Sequence, residues 1–187
     1  MPPIDTAVFY ISGHGFGHAS RQIEIINALR AIRPDLRIVV RTSAPRWLFD
    51  LAVTRPFSFA HGEPDTGVVQ IDSLQVDAAA SIDRAWDFHR TLDARAKAEA
   101  RLLESHDIVF EQFRPGVMER LGLHYETLAS SNPAVIYCSI NSFGERGALR
   151  QRAAHDINAL ALVRVVISSG IATGIIVVFV ASVTAPP

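Results

Sequence analysis

Ala7 to Ser12 (Ala-Val-Phe-Tyr-Ile-Ser) is an apolar run that stops at glycines, the pattern of a buried strand. After the loop Gly13-His14-Gly15-Phe16-Gly17-His18, the residues Ile23, Ile26, Leu29 and Ile32 recur at helical spacing until Pro34 ends the pattern. Leu36 to Val40 predicts a second strand, so the first forty residues form a right-handed βαβ unit. Pro45 opens a short helix through Ala52, and residues 56–77 predict a loop with strand-like pieces such as Val68 to Ile71. The stripe Ile82, Ala85, Trp86, His89, Leu92, Ala96, Ala100, Leu103 predicts one long amphipathic helix, with Ser81 as N-cap and with Trp86 and His89 packed in the core. Ile108 to Phe110 and Val135 to Ile140 are further strands. Short helices from Pro115 to about Leu121 and from Tyr125 to Ser130 lie between them, and Gly144 and Gly147 mark the loop that follows. Strands alternating with helices predict an α/β fold, a mostly parallel sheet with helices on both faces.

Composition narrows the function. Of 187 residues, 49% are hydrophobic and the formal net charge is −1. That is enough apolar material for a core, and it provides no electrostatic footprint for nucleic acid or for an anionic membrane surface. Cys138 is the single cysteine, which excludes an intrachain disulfide and a cysteine-based metal site and suits a reducing cytoplasm. Residues 1–6 lack the basic-then-apolar layout of a signal peptide. The far end departs from this picture: Val165 to Ala185 carries no charge, and as a helix its 21 residues would span about 30 Å, the thickness of a hydrocarbon core. Gly170 and Gly174 form a G-x-x-x-G within it, and Arg146, Arg150, Arg152 and Arg164 precede it on what would be the cytoplasmic side. A candidate transmembrane helix and an out-of-frame extension are the first two readings of this tail, and a buried globular strand or helix is the third.

The glycine loop between the first strand and first helix carries the first candidate chemistry. Backbone N–H groups and a positive helix end gather there, where an anion can sit. It does not fit the dinucleotide fingerprint: Gly17 comes one residue early, His18 stands where the third glycine belongs, and Arg41 rather than an acid ends the second strand. The strings Tyr10-Ile-Ser-Gly-His-Gly-Phe-Gly-His-Ala-Ser-Arg21, Val40-Arg-Thr-Ser-Ala-Pro-Arg-Trp-Leu-Phe49 and Asp65-Thr-Gly-Val-Val-Gln-Ile-Asp-Ser73 resemble the N-terminal domain of GT-B-fold glycosyltransferase-like proteins and the front half of arabinokinases. The likeness covers about residues 7–106 and implies a Rossmann-like sheet. It implies an acceptor-side module in which His18 acts as general base, with His14 the second choice and the helix-capping role the alternative for both. It also implies a ligand site over Gly13, His14, Gly15, Gly17 and Arg21, with a nucleotide sugar as donor. Imidazole suits the base role because it titrates near neutrality.

A second resemblance begins near residue 107. Asp107-Ile-Val-Phe-Glu-Gln-Phe-Arg-Pro-Gly-Val-Met-Glu-Arg-Leu-Gly-Leu123, Asn132-Pro-Ala-Val-Ile-Tyr-Cys-Ser-Ile140, Phe143-Gly-Glu-Arg-Gly147 and His155-Asp-Ile-Asn158 resemble family III CoA-transferases, the last run most of all the α-methylacyl-CoA racemase branch. Ala148 departs from the family's usual proline. This likeness implies coenzyme A as ligand, Arg114 as a contact to it, and His155 as one of two acid/base groups. After Asp156, however, the sequence contains no Asp, Glu, His, Cys or Lys, so the partner group has no candidate downstream. The resemblance is expected to end at Leu162.

The expected organisation is therefore a glycosyltransferase-like module at 1–106, a CoA-transferase-like segment at 107–162, and an apolar tail at 163–187. The expected function is that of a transferase-type fragment, catalytically incomplete alone, with a second chain supplying the missing parts. CoA-transferase or racemase-like activity is one alternative, and a non-catalytic remnant or membrane-tethered binding module is the other.

Overall fold

The computed structural model describes residues 4–151, except 15, 73, 114, 142, 144, 145 and 149, together with 180–184. Its centre is a six-stranded sheet of order β3-β2-β1-β6-β7-β8. The strands are β1 (Thr6–Ile11), β2 (Arg37–Thr42), β3 (Ser58–His61), β6 (Ile108–Glu111), β7 (Ile136–Asn141) and β8 (Val180–Thr184). The first five run parallel and β8 is antiparallel to β7. Two-residue strands β4 (Val69–Gln70) and β5 (Val76–Asp77) form a separate antiparallel hairpin. The helices are α1 (Phe16–Ile32), α2 (Arg46–Ala52), α3 (Ala78–Arg90), α4 (Leu92–Leu103), α5 (Val117–Arg120) and α6 (Tyr125–Ser131).

Alternation along β1 builds two cores. Ala7, Phe9 and Ile11 point to one face, where Ala19, Ile23 and Ile26 of α1 and Phe49 of α2 cover them. Val8 and Tyr10 point to the other face, under Leu103 of α4, Met118 of α5 and Leu128 of α6. Helices on both faces of a mostly parallel sheet are what the alternation of strands and helices implies.

The strand order fixes where function can sit. From β1 the chain steps outward through β2 to β3, then returns to place β6 on the opposite side of β1. The crossovers leave β1 in both directions, so a crevice opens at the carboxyl ends of β1 and β6. At the other end of the same strand pair, Asp107 holds the register. Its Oδ2 accepts hydrogen bonds from the backbone N–H of Asp5 at 3.0 Å and of Thr6 at 2.9 Å, and from the Thr6 hydroxyl at 2.7 Å. The Thr6 Oγ1 accepts in return from Asp107 N–H at 3.0 Å.

Several expectations are corrected. The long helix is two, α3 and α4, divided at Thr91, and α3 begins at Ala78, three residues before Ser81. Asp77 is the N-cap, accepting from Ala80 N–H at 2.9 Å, whereas the Ser81 hydroxyl accepts from Val69 N–H and so ties the helix to the hairpin. Trp86 and Ile82 are 72% and 69% exposed, His89 is exposed as well, and α3 buries no residue. The stripe is covered only at its far end, where Ala100 and Leu103 of α4 pack in the second core. β3 falls inside the stretch expected to be loop. Val180–Thr184, for which a membrane helix and an out-of-frame extension are expected ahead of a globular strand, is an edge strand, with Cys138 opposite Val183 and Ile140 opposite Ala181. Among the described residues, no helix is long and apolar enough to cross a membrane. Most of the remaining tail, from residue 163 to 179, lies outside the described residues.

Asp107 yields a stability prediction. Burial, which alone would raise its pKa, is outweighed by the Thr6 hydroxyl and the Asp5 and Thr6 amides, and the carboxyl sits below its ordinary value. A depressed carboxylate stabilises the fold above the unfolded pKa and loses that contribution as pH falls through the folded one. Asp107→Ala should therefore cost about 1–3 kcal/mol at pH 7, with a smaller difference from wild type below about pH 3. Urea unfolding of both proteins at the two pH values measures it.

Candidate functional site

The β1–α1 loop leaves the sheet at the β1/β6 crevice, and the local sequence explains its tightness. A Cβ at Gly13 would stand 1.9 Å from Ser43 Oγ and 3.1 Å from Ala44 N, so the absence of a side chain lets the β2–α2 loop pack directly on the β1–α1 loop. Gly67 works in the same way from the loop after β3: a Cβ there would stand 2.1 Å from His14 Nδ1 and 2.3 Å from its Cε1. The His14 ring therefore lies flat against bare backbone at position 67. Its Nε2 is 3.4 Å from Asp65 Oδ1, an ion-pair distance without hydrogen-bond alignment.

The two histidines occupy unlike electrostatic environments. The Asp65 carboxylate raises the pKa of His14, against the opposing effect of partial burial. Burial lowers that of His18, helped by the nearby Arg21 charge, with Gln112 and Asp65 opposing. At neutral pH His18 is thus held as free imidazole, while His14 is biased toward imidazolium. Pairs of titratable groups pushed apart by their surroundings are characteristic of acid/base sites, although structural ion pairs give the same signature.

Around them the crevice contains unmet polar valence. Gln22, on α1 and only 1% exposed, donates from Nε2 to Gln112 Oε1 at 3.4 Å, beyond ordinary hydrogen-bond length. Gln22 Oε1, Gln112 Nε2 and His18 Nδ1 are screened from solvent and have no hydrogen-bond partner. Most buried polar atoms in native proteins are paired, so a cluster of unpaired ones marks a place where a partner is missing. Glu111, at the end of β6, is buried and accepts from Phe113 N–H at 2.6 Å. It faces Cys138, whose thiol is pushed up to about 11 by burial and then by the Glu111 charge, so this cysteine is no nucleophile at neutral pH.

Gly13, His14, Gly17, His18 and Arg21 thus fall together at the carboxyl edge of the sheet. Gly15, Arg114 and His155 lie outside the described residues. The sequence reading missed Asp65, Gly67, Gln22 and Gln112 as parts of this place. One signal was present: Gln22 interrupts the apolar face of α1 next to Ile23, and a polar residue in a buried stripe needs a reason.

Residues 90–174 match the family model of CoA-transferase family III, a span that continues twelve residues past the expected end at Leu162. The chain is 40% identical over 73 residues to acetyl-CoA:oxalate CoA-transferase of Acetobacter aceti, covering 39% of this chain and 19% of that protein. It is 47% identical over 62 residues to mouse α-methylacyl-CoA racemase, covering 33% of this chain and 16% of the relative. L-arabinokinase of Arabidopsis thaliana is 38% identical over 77 residues, 41% of this chain and 7% of that one. The chain resembles two families. It spans less than a fifth of each of these relatives' lengths. The crystal structure of a hypothetical protein from Mycobacterium tuberculosis matches 91% of this chain and 42% of its own at a TM-score of 0.54 and 19% identity, a likeness of fold alone. The α/β sheet and its resemblance to CoA-transferase family III over part of the chain are thus established.

The Gly67 contact makes the histidine geometry testable. Gly67→Ala should drive the His14 ring off its seat, separate it from Asp65 and bring its pKa down toward the ordinary histidine value, leaving His18 depressed. A two-dimensional NMR titration of the imidazoles reads both; an unmoved His14 would contradict the contact.

Proposed function

We propose that the β1/β6 crevice binds a sugar hydroxyl and that His18 is its general base, in a glycosyltransferase-like acceptor module. The observation that supports this most is the His18 imidazole, half-buried at the carboxyl edge of the sheet and held uncharged at neutral pH by that burial and by the nearby Arg21. A neutral imidazole can accept a hydroxyl proton as the oxygen attacks the anomeric carbon of an activated sugar and the donor's leaving group departs with the bonding electrons. The donor would be a nucleotide sugar, held by protein outside the residues described here. The likeness to L-arabinokinase supports a sugar as ligand class.

His14 then has a distinct role. Paired with Asp65 and seated on Gly67, it fixes the loop that presents His18, and its positive bias favours His18 remaining uncharged. A second reading rests on the family match over residues 90–174, which supports coenzyme A thioester binding through Arg114 and His155. The relatives' names, a CoA-transferase and a racemase, point the same way.

The test separates the two by ligand and by variant. L-arabinose or D-galactose should shift the His18 imidazole signals, and His18→Ala should remove the binding. A hydroxyl donates only to unprotonated imidazole, so affinity should persist through pH 6.5 and fall below it as His18, depressed from that ordinary value, protonates. A coenzyme A ester that binds and is lost only on His155→Ala would put the second reading in its place.

A further inference from the structure

We propose that Phe16 and Trp47 form a stacking platform for the apolar face of a sugar ring at the mouth of the β1/β6 crevice. This deepens the sugar-hydroxyl reading above and rests on it. Both rings sit on the functional edge of the sheet. Phe16 is the first residue of α1, directly after the β1–α1 loop, and Trp47 is the second residue of α2, directly after the β2–α2 loop. The Gly13–Ser43 approach that packs these two loops together also brings the rings to an edge-to-face contact, centroids 5.8 Å apart and planes at 66°.

The pair is not a core contact. Phe16 is 57% exposed and Trp47 is 54% exposed, although each touches the other. An edge-to-face arrangement leaves ring faces uncovered, and the electron-rich face of an aromatic ring attracts weakly positive C–H groups. Trp47 stands between Arg46 and Leu48, and the neighbouring Arg46 guanidinium lies over Phe57 and Phe59 instead of over the tryptophan, so no cation caps the indole from that side. Position 17, between Phe16 and His18, faces open space: nothing lies within 4 Å of where a Cβ would stand.

A sugar ring matches this combination better than a phosphate or an acyl chain does. Its C–H face would lie on the aromatic pair while its hydroxyl edge turns over Gly17, where the space is open, toward the crevice. A phosphate would gain nothing from two aromatic faces, and an acyl chain would make no use of the polar groups beside them. Small-molecule sites commonly pair apolar walls with a few convergent polar groups in this way.

The chain has two tryptophans, Trp47 and Trp86, so Trp86→Phe leaves Trp47 as the sole reporter. In that protein, titration with L-arabinose should change Trp47 emission, whereas L-arabinitol, with similar hydroxyls but no ring, should have little effect. Trp47→Ala, followed through the His18 NMR signals, should weaken L-arabinose binding about tenfold, and Trp47→Phe should restore most of it. If L-arabinose shifts His18 but Trp47→Ala binds as tightly as wild type, the platform is wrong and the His18 reading stands. If Trp47→Ala weakens binding and Trp47→Phe restores it while His18→Ala has no effect, the platform stands and the base assignment fails. Loss of melting temperature in Trp47→Ala without rescue by Trp47→Phe would make the residue structural and overturn the proposal. Absence of any sugar effect on either signal would overturn both.

Discussion

β1 is paired on both edges, and every other feature hangs on that arrangement. β2 lies on one side in a six-residue parallel register, β6 on the other in a shorter one, Ala7 opposite Ile108 through Phe9 opposite Phe110. Parallel pairing between distant segments is costly in chain entropy, so the short β1/β6 ladder needs additional anchoring. Three sets of contacts hold β1 among its neighbours. At the amino end, Asp107 collects three donors from Asp5 and Thr6. On the α4 face, the Tyr10 hydroxyl donates to Glu99 at 2.7 Å, and Arg41 of β2 donates from Nε to the same carboxylate at 3.1 and 3.2 Å. Phe9 and Phe110 stack across the strand pair, centroids 4.3 Å apart, on the other face. Because β1 is fixed from both sides, the loop leaving it has a defined exit, and the crevice follows from that exit.

The same constraint explains how two histidines four residues apart come to differ. His14 is in the loop and meets a carboxylate delivered by the chain after β3; His18 is already on α1 and turns toward the inner end of the crevice, beside Arg21 and Gln112. Neither shift is a property of the glycine loop alone. That of His14 depends on Asp65, delivered by the chain after β3, whereas that of His18 comes from its burial and from Arg21 on the same helix, with Gln112 opposing. A loop of identical sequence on an unpinned sheet would have lost the distinction between them.

What could be read in the sequence follows from the same logic. Strands β1, β2, β6 and β7 announce themselves because each is a short apolar run between turn residues, and α1 because Ile23 and Ile26 meet the sheet at helical spacing. β3 does not: Ser58-Phe59-Ala60-His61 has no apolar run, and backbone pairing with β2 makes it a strand. Periodicity reports that a helix is amphipathic but not that anything covers it, which is why the Ile82 and Trp86 stripe looked like core and is surface. Val180–Thr184 lies in a long uncharged run that reads equally as helix or strand; pairing with β7 settles it. His14 and His18 were legible from the glycine loop and Gln22 from its place in the apolar face of α1, whereas Asp65, Gly67 and Gln112 act through long-range contacts that no local pattern encodes.

The two resemblances meet inside one sheet. The family match over residues 90–174 takes in α4, β6 and β7, and β1, β2 and β3 lie before it. Yet the core on the α4 face mixes Val8 and Tyr10 from one side with Leu103, Val109 and Met118 from the other, and the Tyr10–Glu99–Arg41 network crosses the same line. A parallel sheet tolerates such a meeting because its ladder uses backbone groups common to every residue, and a new βα unit needs only an apolar alternation to dock. Removing residues before 90 would strip β6 of its β1 partner and uncover Val109. Removing those after 106 would expose Val8 and Tyr10 and leave Asp5 and Thr6 without their carboxylate. The clamp and the shared core make the two parts one folding unit, whatever their separate likenesses.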